Sequence, residues 1–263
     1  MEKQFALLNG LPMPSIGFGT YKLKGEEATQ MTRQAIETGY RLFDTAAMYE
    51  NEAEVGKALQ EAIQKGVPRE ELFVVTKVWK TEMGYDKAKA SFEESFKKLG
   101  LDAIDLLLIH WPDESDDVNM DTWKALEDLY KNDERLKAIG VSNFSEKQLE
   151  TLFDRGTIKP MVNQYPSYPG RSNQALLDFC HKEGIVSMAY SPINRGEALG
   201  GKLIQQLTEK YGKTPAQIAL RWALDRNIIP IPKTGNSERL VENYELFDFE
   251  LTPEEVQQLL LLD

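Results

Sequence analysis

The chain has 263 residues, 41% apolar and 28% charged, a composition typical of globular proteins that excludes disordered and collagen-like classes. Its 31 basic and 42 acidic residues give a net charge of -11, which disfavours binding to nucleic acid phosphates or anionic lipid surfaces. No apolar run approaches the roughly 20 residues needed to span a bilayer, the single cysteine is Cys180, and no secretion signal is recognisable, so we expect a cytoplasmic protein.

The first predicted element is a β-hairpin. Residues 5–8 and 13–14 flank Asn9-Gly10, a dipeptide that favours a tight turn. After it, short β-branched runs alternate with longer amphipathic stretches, which is the α/β pattern. Strands are predicted at residues 15–18, 41–44, 72–78, 104–110, 136–141, 161–164, 185–189 and 228–231. Helices are predicted at residues 27–38, 51–65, 85–99, 121–131, 146–153, 173–182 and 215–225, with others beginning near Ser237 and covering 252–262.

Eight strands that alternate with helices are the number that closes a parallel sheet into a barrel. Doubly wound sheets usually have fewer strands, and no Pro- or Ser-rich linker divides the chain. No Gly-x-Gly-x-x-Gly motif follows the first strand, so a Rossmann module is not supported. We therefore predict an α/β fold with a single domain over residues 1–263, a (β/α)8 TIM barrel with an N-terminal β-hairpin at its bottom.

Four polar side chains stand at or near the ends of apolar runs, where a barrel carries its active site. Asp44 ends the second strand and Lys77 lies in the third, while His110 ends the fourth and Tyr49 follows in a loop. The alternatives are a helix or turn cap for Asp44, a structural role for His110 and an ordinary half-buried aromatic for Tyr49. A lone solvated amine does not explain Lys77, because burying an ammonium is costly without an acidic partner. Only two histidines occur, neither at metal-ligand spacing, so no metal is predicted.

The combination of a carboxylate, a phenol, an ammonium and an imidazole indicates acid catalysis. A phenol with a pKa near ~10 is a poor proton donor at neutral pH, but an adjacent cation stabilises the phenolate and lowers that pKa. We therefore expect Lys77 to lower the pKa of Tyr49. Asp44 would keep Lys77 charged, and His110 would orient a carbonyl oxygen.

Two motifs resemble signatures of the aldo-keto reductase family. They are GYRLFDTAAMYENE at residues 39–52 and LDAIDLLLIHWP at residues 101–112. The resemblance covers nearly the whole chain, from Gly17 to about Glu250. It implies carbonyl reduction with NADPH bound across the barrel top, by a catalytic tetrad of Asp44, Tyr49, Lys77 and His110. Position in the chain and resemblance therefore indicate the same four residues.

The resemblance also implies where the cofactor binds. At the nicotinamide end, Ser142, Asn143 and Gln164 would hydrogen-bond the carboxamide, and Tyr190 would stack on the ring. Further contacts would come from Gly19, Thr20, Tyr21, Asp44, Ser191 and Ile193.

The stretch IPKTGNSERLVEN, at residues 231–243, is similar to the family's site for the adenosine 2′-phosphate. Lys233, Thr234 and Arg239 would bind that phosphate beside a helix N-terminus, which favours NADPH over NADH. Glu242 and Asn243 would contact adenine. The alternative for the two basic residues is simple solvation.

The substrate pocket departs from the family's usual pattern. Tyr21 stands where the family commonly has tryptophan, many members continue into a tail beyond the last helix whereas this sequence ends at Asp263, and the segments 113–119 and 191–201 are short. We therefore expect a shallow, open pocket that favours small, activated carbonyls. Its predicted substrate contacts are Tyr21, Met48, Tyr49, Trp79, His110 and Trp111.

We predict an NADPH-dependent reductase of a small aldehyde, dicarbonyl or keto sugar, with Tyr49 as general acid. The expected partner is a small-molecule carbonyl substrate, without nucleic acid or membrane, and the expected state is a monomer. One alternative is a nicotinamide-binding, redox-sensing regulatory subunit with little turnover, which the complete tetrad disfavours. Another is a barrel glycosidase, which needs two opposed carboxylates, whereas Asp44 has no evident acidic partner on another strand end.

Overall fold

An N-terminal hairpin precedes the main sheet in the computed structural model, which describes residues 4–194, 196 and 200–262. Strands β1 (Gln4–Ala6) and β2 (Pro12–Pro14) pair antiparallel around the predicted turn. Gly10 there has φ of 83°, a conformation that glycine adopts without strain. The amide of Asn9 donates to the carbonyl oxygen of Lys137 at 2.9 Å. Because Lys137 lies two residues before a barrel strand, the hairpin lies at the amino-terminal ends of the strands, as predicted.

The main sheet contains eight parallel strands. They are β3 (Gly17–Gly19), β4 (Leu42–Asp44), β5 (Phe73–Val78), β6 (Leu106–Ile109), β7 (Ile139–Ser142), β8 (Val162–Pro166), β9 (Val186–Tyr190) and β10 (Ile228–Ile231). Each pairs with the next along the chain. The N–H of Gly19 donates to Pro232 at 3.0 Å, so β3 lies beside β10. A Cβ on Gly17 would lie 2.6 Å from Ile231, so glycine permits this approach. The predicted (β/α)8 barrel is confirmed.

Ten α-helices occur in the described residues. They are α1 (Gly25–Thr38), α2 (Glu52–Gln64), α3 (Tyr85–Leu99), α4 (Asp116–Asn132), α5 (Glu146–Arg155), α6 (Gln174–Lys182), α7 (Lys202–Tyr211), α8 (Pro215–Asp225), α9 (Ser237–Tyr244) and α10 (Pro253–Leu260). Among these helices, none is long and apolar enough to cross a membrane.

Two helices differ from the prediction by more than two residues. Helix α4 begins at Asp116, five residues earlier than predicted, because Ser115 caps it and the acidic residues of its first turn favour the positive end of the helix dipole. Helix α7 was not predicted at all. Its buried residues Ile204 and Leu207 pack in one cluster with Trp222 of α8. Of the predicted short segment 191–201, residues 195 and 197–199 lie outside the described part of the chain.

Strand β5 illustrates how the barrel positions its polar groups. All six of its residues are buried, because one face meets the barrel interior and the other meets the helices. Successive side chains therefore point into two different environments. Lys77 contacts Asp44 of β4 inside the barrel, whereas its neighbour Thr76 contacts Glu52 of α2 on the helix side.

Candidate active site

The four residues predicted as a tetrad meet at the carboxyl ends of three neighbouring strands. Asp44 is the last residue of β4, Lys77 lies near the end of β5, and His110 directly follows β6. Tyr49 ends a 3-10 turn in the loop after β4 (Ala47–Tyr49). Because these parallel strands are adjacent, residues far apart in sequence reach one site.

Lys77 is completely buried and uses all three donors of its ammonium group. Its Nζ donates to Oδ1 of Asp44 and to the carbonyl oxygen of Thr45, each at 2.8 Å, and to the hydroxyl of Tyr49 at 3.4 Å. Burial lowers the pKa of Lys77, and the charge of Asp44 opposes that effect. The ion pair with Asp44 supplies the acidic partner that the sequence position predicted.

Asp44 is held from two sides of the barrel. Its Oδ1 accepts from Lys77, and its Oδ2 accepts from the side-chain amide of Gln164 in β8 at 2.8 Å. The backbone carbonyl of Asp44 also accepts the Thr20 hydroxyl at 2.9 Å. The carboxylate therefore has a fixed orientation, with one oxygen directed to the lysine.

Tyr49 is buried, and its hydroxyl lies beside the lysine. Burial, followed by the negative charge of Asp44, raises its pKa well above the usual value. The predicted lowering of this pKa by Lys77 is therefore wrong for this arrangement, because burial of the phenol dominates and the charge of Asp44 adds to it. The consequence is that Tyr49 keeps its proton at neutral pH.

His110 is a neutral imidazole in this site. Burial, aided by the positive charge of Lys77, lowers its pKa to about 2. Its ring meets the rings of Tyr49 and Trp79 edge-on, with centroids 5.6 and 4.9 Å away. Nδ1 is buried and has no hydrogen-bond partner among the described residues. A neutral imidazole has one N–H and one acceptor nitrogen, so His110 can donate to a substrate oxygen without carrying charge.

Asn51 fixes the loops that carry these groups, and the sequence analysis did not single it out. Its buried amide nitrogen donates to the carbonyl oxygens of Thr20 and Leu23, each at 2.9 Å, and its oxygen accepts the Thr45 hydroxyl at 2.7 Å. It thereby joins the loop after β3 to the loop after β4. Its place two residues after Tyr49 in the first motif was the available signal.

A cavity of about 560 Å³ opens over the tetrad, within the size range of small-molecule sites. The predicted residues that line it are Gly19, Tyr21, Asp44, Met48, Tyr49, His110, Trp111, Asn143, Gln164, Tyr190, Ser191, Ile193 and Lys233. Its walls also include three residues that the sequence analysis missed, Lys22, Pro192 and Ile231. Among the described lining residues, Asp44 is the one carboxylate, so the paired acids of a glycosidase are not present there.

Three of the predicted contact residues lie behind the cavity wall. Thr20 and Ser142 are completely buried, and their hydroxyls donate to backbone carbonyls of Asp44 and Gln164. Trp79 is half-buried and packs against His110 instead of lining the cavity. In this arrangement these residues support the residues that form the wall.

The predicted carboxamide-binding residues are bonded to each other. Asn143 donates to the carbonyl oxygen of His110 and to the hydroxyl of Ser142, each at 3.0 Å, and accepts the hydroxyl of Tyr190 at 2.8 Å. Asn143 has φ of 64°, which asparagine tolerates better than most residues. These contacts hold Asn143 and Tyr190 at the cavity wall. There Asn143 would contact the amide group of a bound nicotinamide, and Tyr190 would contact its ring.

The predicted phosphate-binding residues stand at the start of α9. Lys233 lines the cavity, and neither Lys233 nor Arg239 forms an ion pair with any described residue. Two cations without acidic partners, in a chain of net charge -11, fit a dianionic phosphate next to a helix N-terminus. Asn236 caps this helix by accepting the N–H of Arg239 at 2.9 Å.

The remaining residues of this region are largely engaged within the chain. The hydroxyl of Thr234 accepts the N–H of Asn236 at 3.0 Å. Glu242 accepts the hydroxyl of Thr214 at 2.7 Å, and Asn243 is buried. Their predicted contacts with the adenosine end of the cofactor stay predictions.

Residues 15–260 match the Aldo/keto reductase family. The glyoxal reductase of Bacillus subtilis is 45% identical over 254 residues, which cover 96% of this chain and 90% of that protein. The methylglyoxal reductase DkgA of Escherichia coli is 39% identical over 259 residues, which cover 98% of this chain and 92% of that protein. The crystal structure of the Bombyx mori aldo-keto reductase in complex with NADP has a TM-score of 0.92 and 38% identity, covering 100% of this chain and 93% of its own. A family match of this extent, with relatives of this identity, shows that the chain belongs to the aldo/keto reductase family, as the two motifs predicted.

Proposed function

We propose that this chain reduces small aldehydes, dicarbonyls or keto sugars to alcohols with NADPH, and that Tyr49 donates the proton. The oxidoreductase class and the NADP cofactor follow from membership of the family. The observation that carries the proposal is the contact of Lys77 with both Asp44 and Tyr49 under the cavity. It joins a proton donor, a cation and a fixed carboxylate beneath the cavity.

When bound, NADPH supplies a hydride to the carbonyl carbon of the substrate. The chain's part is to protonate the oxygen, on which negative charge develops. An alkoxide is a much stronger base than a phenolate, so Tyr49 can donate even though its pKa is raised. Lys77, 3.4 Å from the Tyr49 oxygen, stabilises the phenolate left behind.

His110 and Asp44 have supporting parts in this scheme. A neutral His110 can hydrogen-bond the carbonyl oxygen and orient it toward Tyr49 without competing as an acid. Asp44 and the carbonyl oxygen of Thr45 accept two of the three N–H donors of Lys77, which fixes the direction of its ammonium group. The third donor is therefore directed to the Tyr49 oxygen, from which the proton leaves.

Residues in and beside the cavity fit the cofactor. Tyr190 and Asn143 present a ring and an amide to a nicotinamide at the cavity wall. Lys233 also lines the cavity, and Arg239 lies in the first turn of α9; neither has an acidic partner among the described residues. The 2′-phosphate is what distinguishes NADPH from NADH, so these cations support a preference for NADPH.

The shape of the cavity mouth supports small substrates. Tyr21 is 44% exposed and Trp111 is 37% exposed, and Tyr21 packs on Tyr49 with ring centroids 5.1 Å apart. Exposed rings at the entrance offer a large ketone few enclosing contacts, whereas a small electrophilic carbonyl needs few. The relatives that are a glyoxal reductase and a methylglyoxal reductase support dicarbonyls as substrates.

A substrate panel followed by the loss of NADPH absorbance tests the proposal. It contains methylglyoxal, a keto sugar, an aromatic aldehyde and a steroid ketone, each with NADPH and with NADH. We expect turnover of the first three with NADPH, with the highest kcat/KM for methylglyoxal or the aldehyde. No turnover of any carbonyl by folded protein that binds NADPH would contradict the proposed function and would favour a binding role.

A further inference from the structure

Glu52 is a buried carboxylate on the helix side of strand β5. It is the first residue of α2, its exposed fraction is 2%, and it does not line the cavity. Burying a carboxylate is costly unless hydrogen-bond donors and positive charge compensate it. The groups around Glu52 therefore indicate what its charge stabilises.

The Glu52 side chain accepts a hydrogen bond from strand β5. The hydroxyl of Thr76 donates to Oε1, and on the α3 side Ser95 is near enough to help lower the pKa of Glu52. Thr76 immediately precedes Lys77, and neighbouring side chains of a strand point to opposite faces. Glu52 thus contacts β5 on the helix side, at the residue next to Lys77. Asp44 contacts Lys77 on the side of the barrel interior. One carboxylate lies on each side of the strand.

We propose that Glu52 is a positioning residue for Lys77. It is a second carboxylate, on the helix side of β5, that keeps the lysine in place and in its charged form. The inference rests on the proposed function, since it concerns the lysine assigned to that reaction. Burial lowers the pKa of Lys77, and the charges of Asp44 and Glu52 both raise it. Glu52 itself lies at the positive end of the α2 dipole, which favours its negative charge.

Other titratable groups face the same two residues and enter the test. On the cavity side, Tyr49 and neutral His110 lie near Lys77. On the helix side, the pKa of Glu52 is raised mainly by burial and further by Glu82, while the hydrogen bonds of Thr76 and Ser95 and the charge of Lys98 oppose the rise. Removing the Thr76 hydroxyl should therefore raise the pKa of Glu52 and reduce the fraction of Glu52 that is ionised.

The experiment measures the titration of Lys77 directly. The full chain is labelled with lysine carrying ¹³C at Cε, whose chemical shift follows protonation of Nζ, and the Lys77 signal is assigned by its loss in Lys77→Met. Glu52→Gln keeps the shape and one acceptor oxygen for the Thr76 hydroxyl, and it removes the charge. We expect the Lys77 midpoint to fall by about half to one pH unit, because one favourable charge is lost.

The pH profile of kcat provides the functional readout. In Glu52→Gln its alkaline limb should move to lower pH with the Lys77 midpoint, while KM and the Kd for NADPH stay unchanged. Glu54→Gln is the matched control, because it removes a charge from the same helical turn outside the buried cluster and should shift neither readout.

An unchanged Lys77 midpoint in folded Glu52→Gln overturns the proposal and leaves Glu52 a purely structural residue. If Glu52→Gln does not fold, Thr76→Val carries the test, with a smaller shift in the same direction expected and no shift overturning it. The midpoint does not depend on turnover. Absence of carbonyl reduction in the unmodified chain would therefore contradict the proposed function while leaving the link between Glu52 and Lys77 to be judged by the titration.

Discussion

Asp44 and Lys77 form an ion pair with 2.8 Å between Oδ1 and Nζ, and neither side chain is more than 3% exposed. A buried pair of this kind is weak as a source of net stability, because desolvation offsets most of the attraction. Its value here is orientation, since the lysine is held toward the Tyr49 hydroxyl. Breaking the pair from one side therefore has a different consequence from removing it altogether.

The first prediction concerns this ion pair. Asp44→Asn leaves a buried ammonium without its counter-ion and should lower the free energy of unfolding by about 3–5 kcal/mol. The double variant Asp44→Asn, Lys77→Met removes both charges and should recover most of that loss, although it stays inactive. Guanidinium unfolding at pH 7 measures both. A double variant no more stable than Asp44→Asn would contradict the ion-pair explanation.

The second prediction concerns the proton donor. Tyr49→Phe keeps the ring and removes the hydroxyl, so kcat should fall by roughly 10²–10⁴-fold while the Kd for NADPH changes little. Steady-state kinetics measures kcat, and fluorescence titration measures the Kd for NADPH. Tyr165→Phe, which removes another buried hydroxyl outside the cavity, should leave kcat nearly unchanged. Near-normal turnover in folded Tyr49→Phe would rule out this residue as the acid.

The third prediction follows from the pKa of His110, which is lowered from 6.5 to about 2 in the folded protein. Below pH 6.5 the unfolded chain takes up a proton on this residue that the folded chain does not, so acidification reduces stability. Through this group alone, the free energy of unfolding should fall by about 1.4 kcal/mol between pH 7.5 and 5.5. Subtracting the same measurement for His110→Gln isolates the effect. Equal pH dependence in both proteins would show that His110 titrates normally.

The fourth prediction concerns cofactor preference. Arg239 has no acidic partner among the described residues, and a charge-assisted contact to phosphate is worth roughly 1.5–3 kcal/mol. Arg239→Ala should therefore weaken NADPH binding by about 10- to 100-fold and barely change NADH binding. Arg155→Ala is the control of equal charge, because Arg155 lies on helix α5, which contributes no residue to the cavity lining. If both cofactors lose affinity equally, Arg239 does not bind the 2′-phosphate.

The fifth prediction concerns the pocket mouth. Tyr21 packs on Tyr49 and is 44% exposed, so a larger ring at this position adds a wall to the entrance. Tyr21→Trp should narrow the substrate range, changing the ratio of kcat/KM between an aromatic aldehyde and methylglyoxal by several-fold. The substrate panel described above measures that ratio. An unchanged ratio would mean that Tyr21 does not contact the substrate, and a strong preference of the unmodified chain for the steroid would contradict the open pocket.

The sequence by itself determined the barrel and the positions of the main polar groups. Alternating runs predict strands and helices, because the spacing of apolar residues along the sequence matches the period of one or the other backbone geometry. Asp44 and His110 were recognisable because a polar residue at the end of a buried strand interrupts an apolar pattern. The family motifs at residues 39–52 and 101–112 contain these same residues and indicated them independently of the apolar pattern.

Only the tertiary structure decided how these groups are held and charged. The bond from Gln164 to Asp44 joins residues 120 positions apart, and Glu52 reaches β5 through packing of α2 on the sheet. The raised pKa of Tyr49 could not be predicted, because it depends on how deeply the closed barrel buries the phenol. Burial and distance are properties of the folded chain as a whole, whereas sequence patterns report only the local path of the backbone.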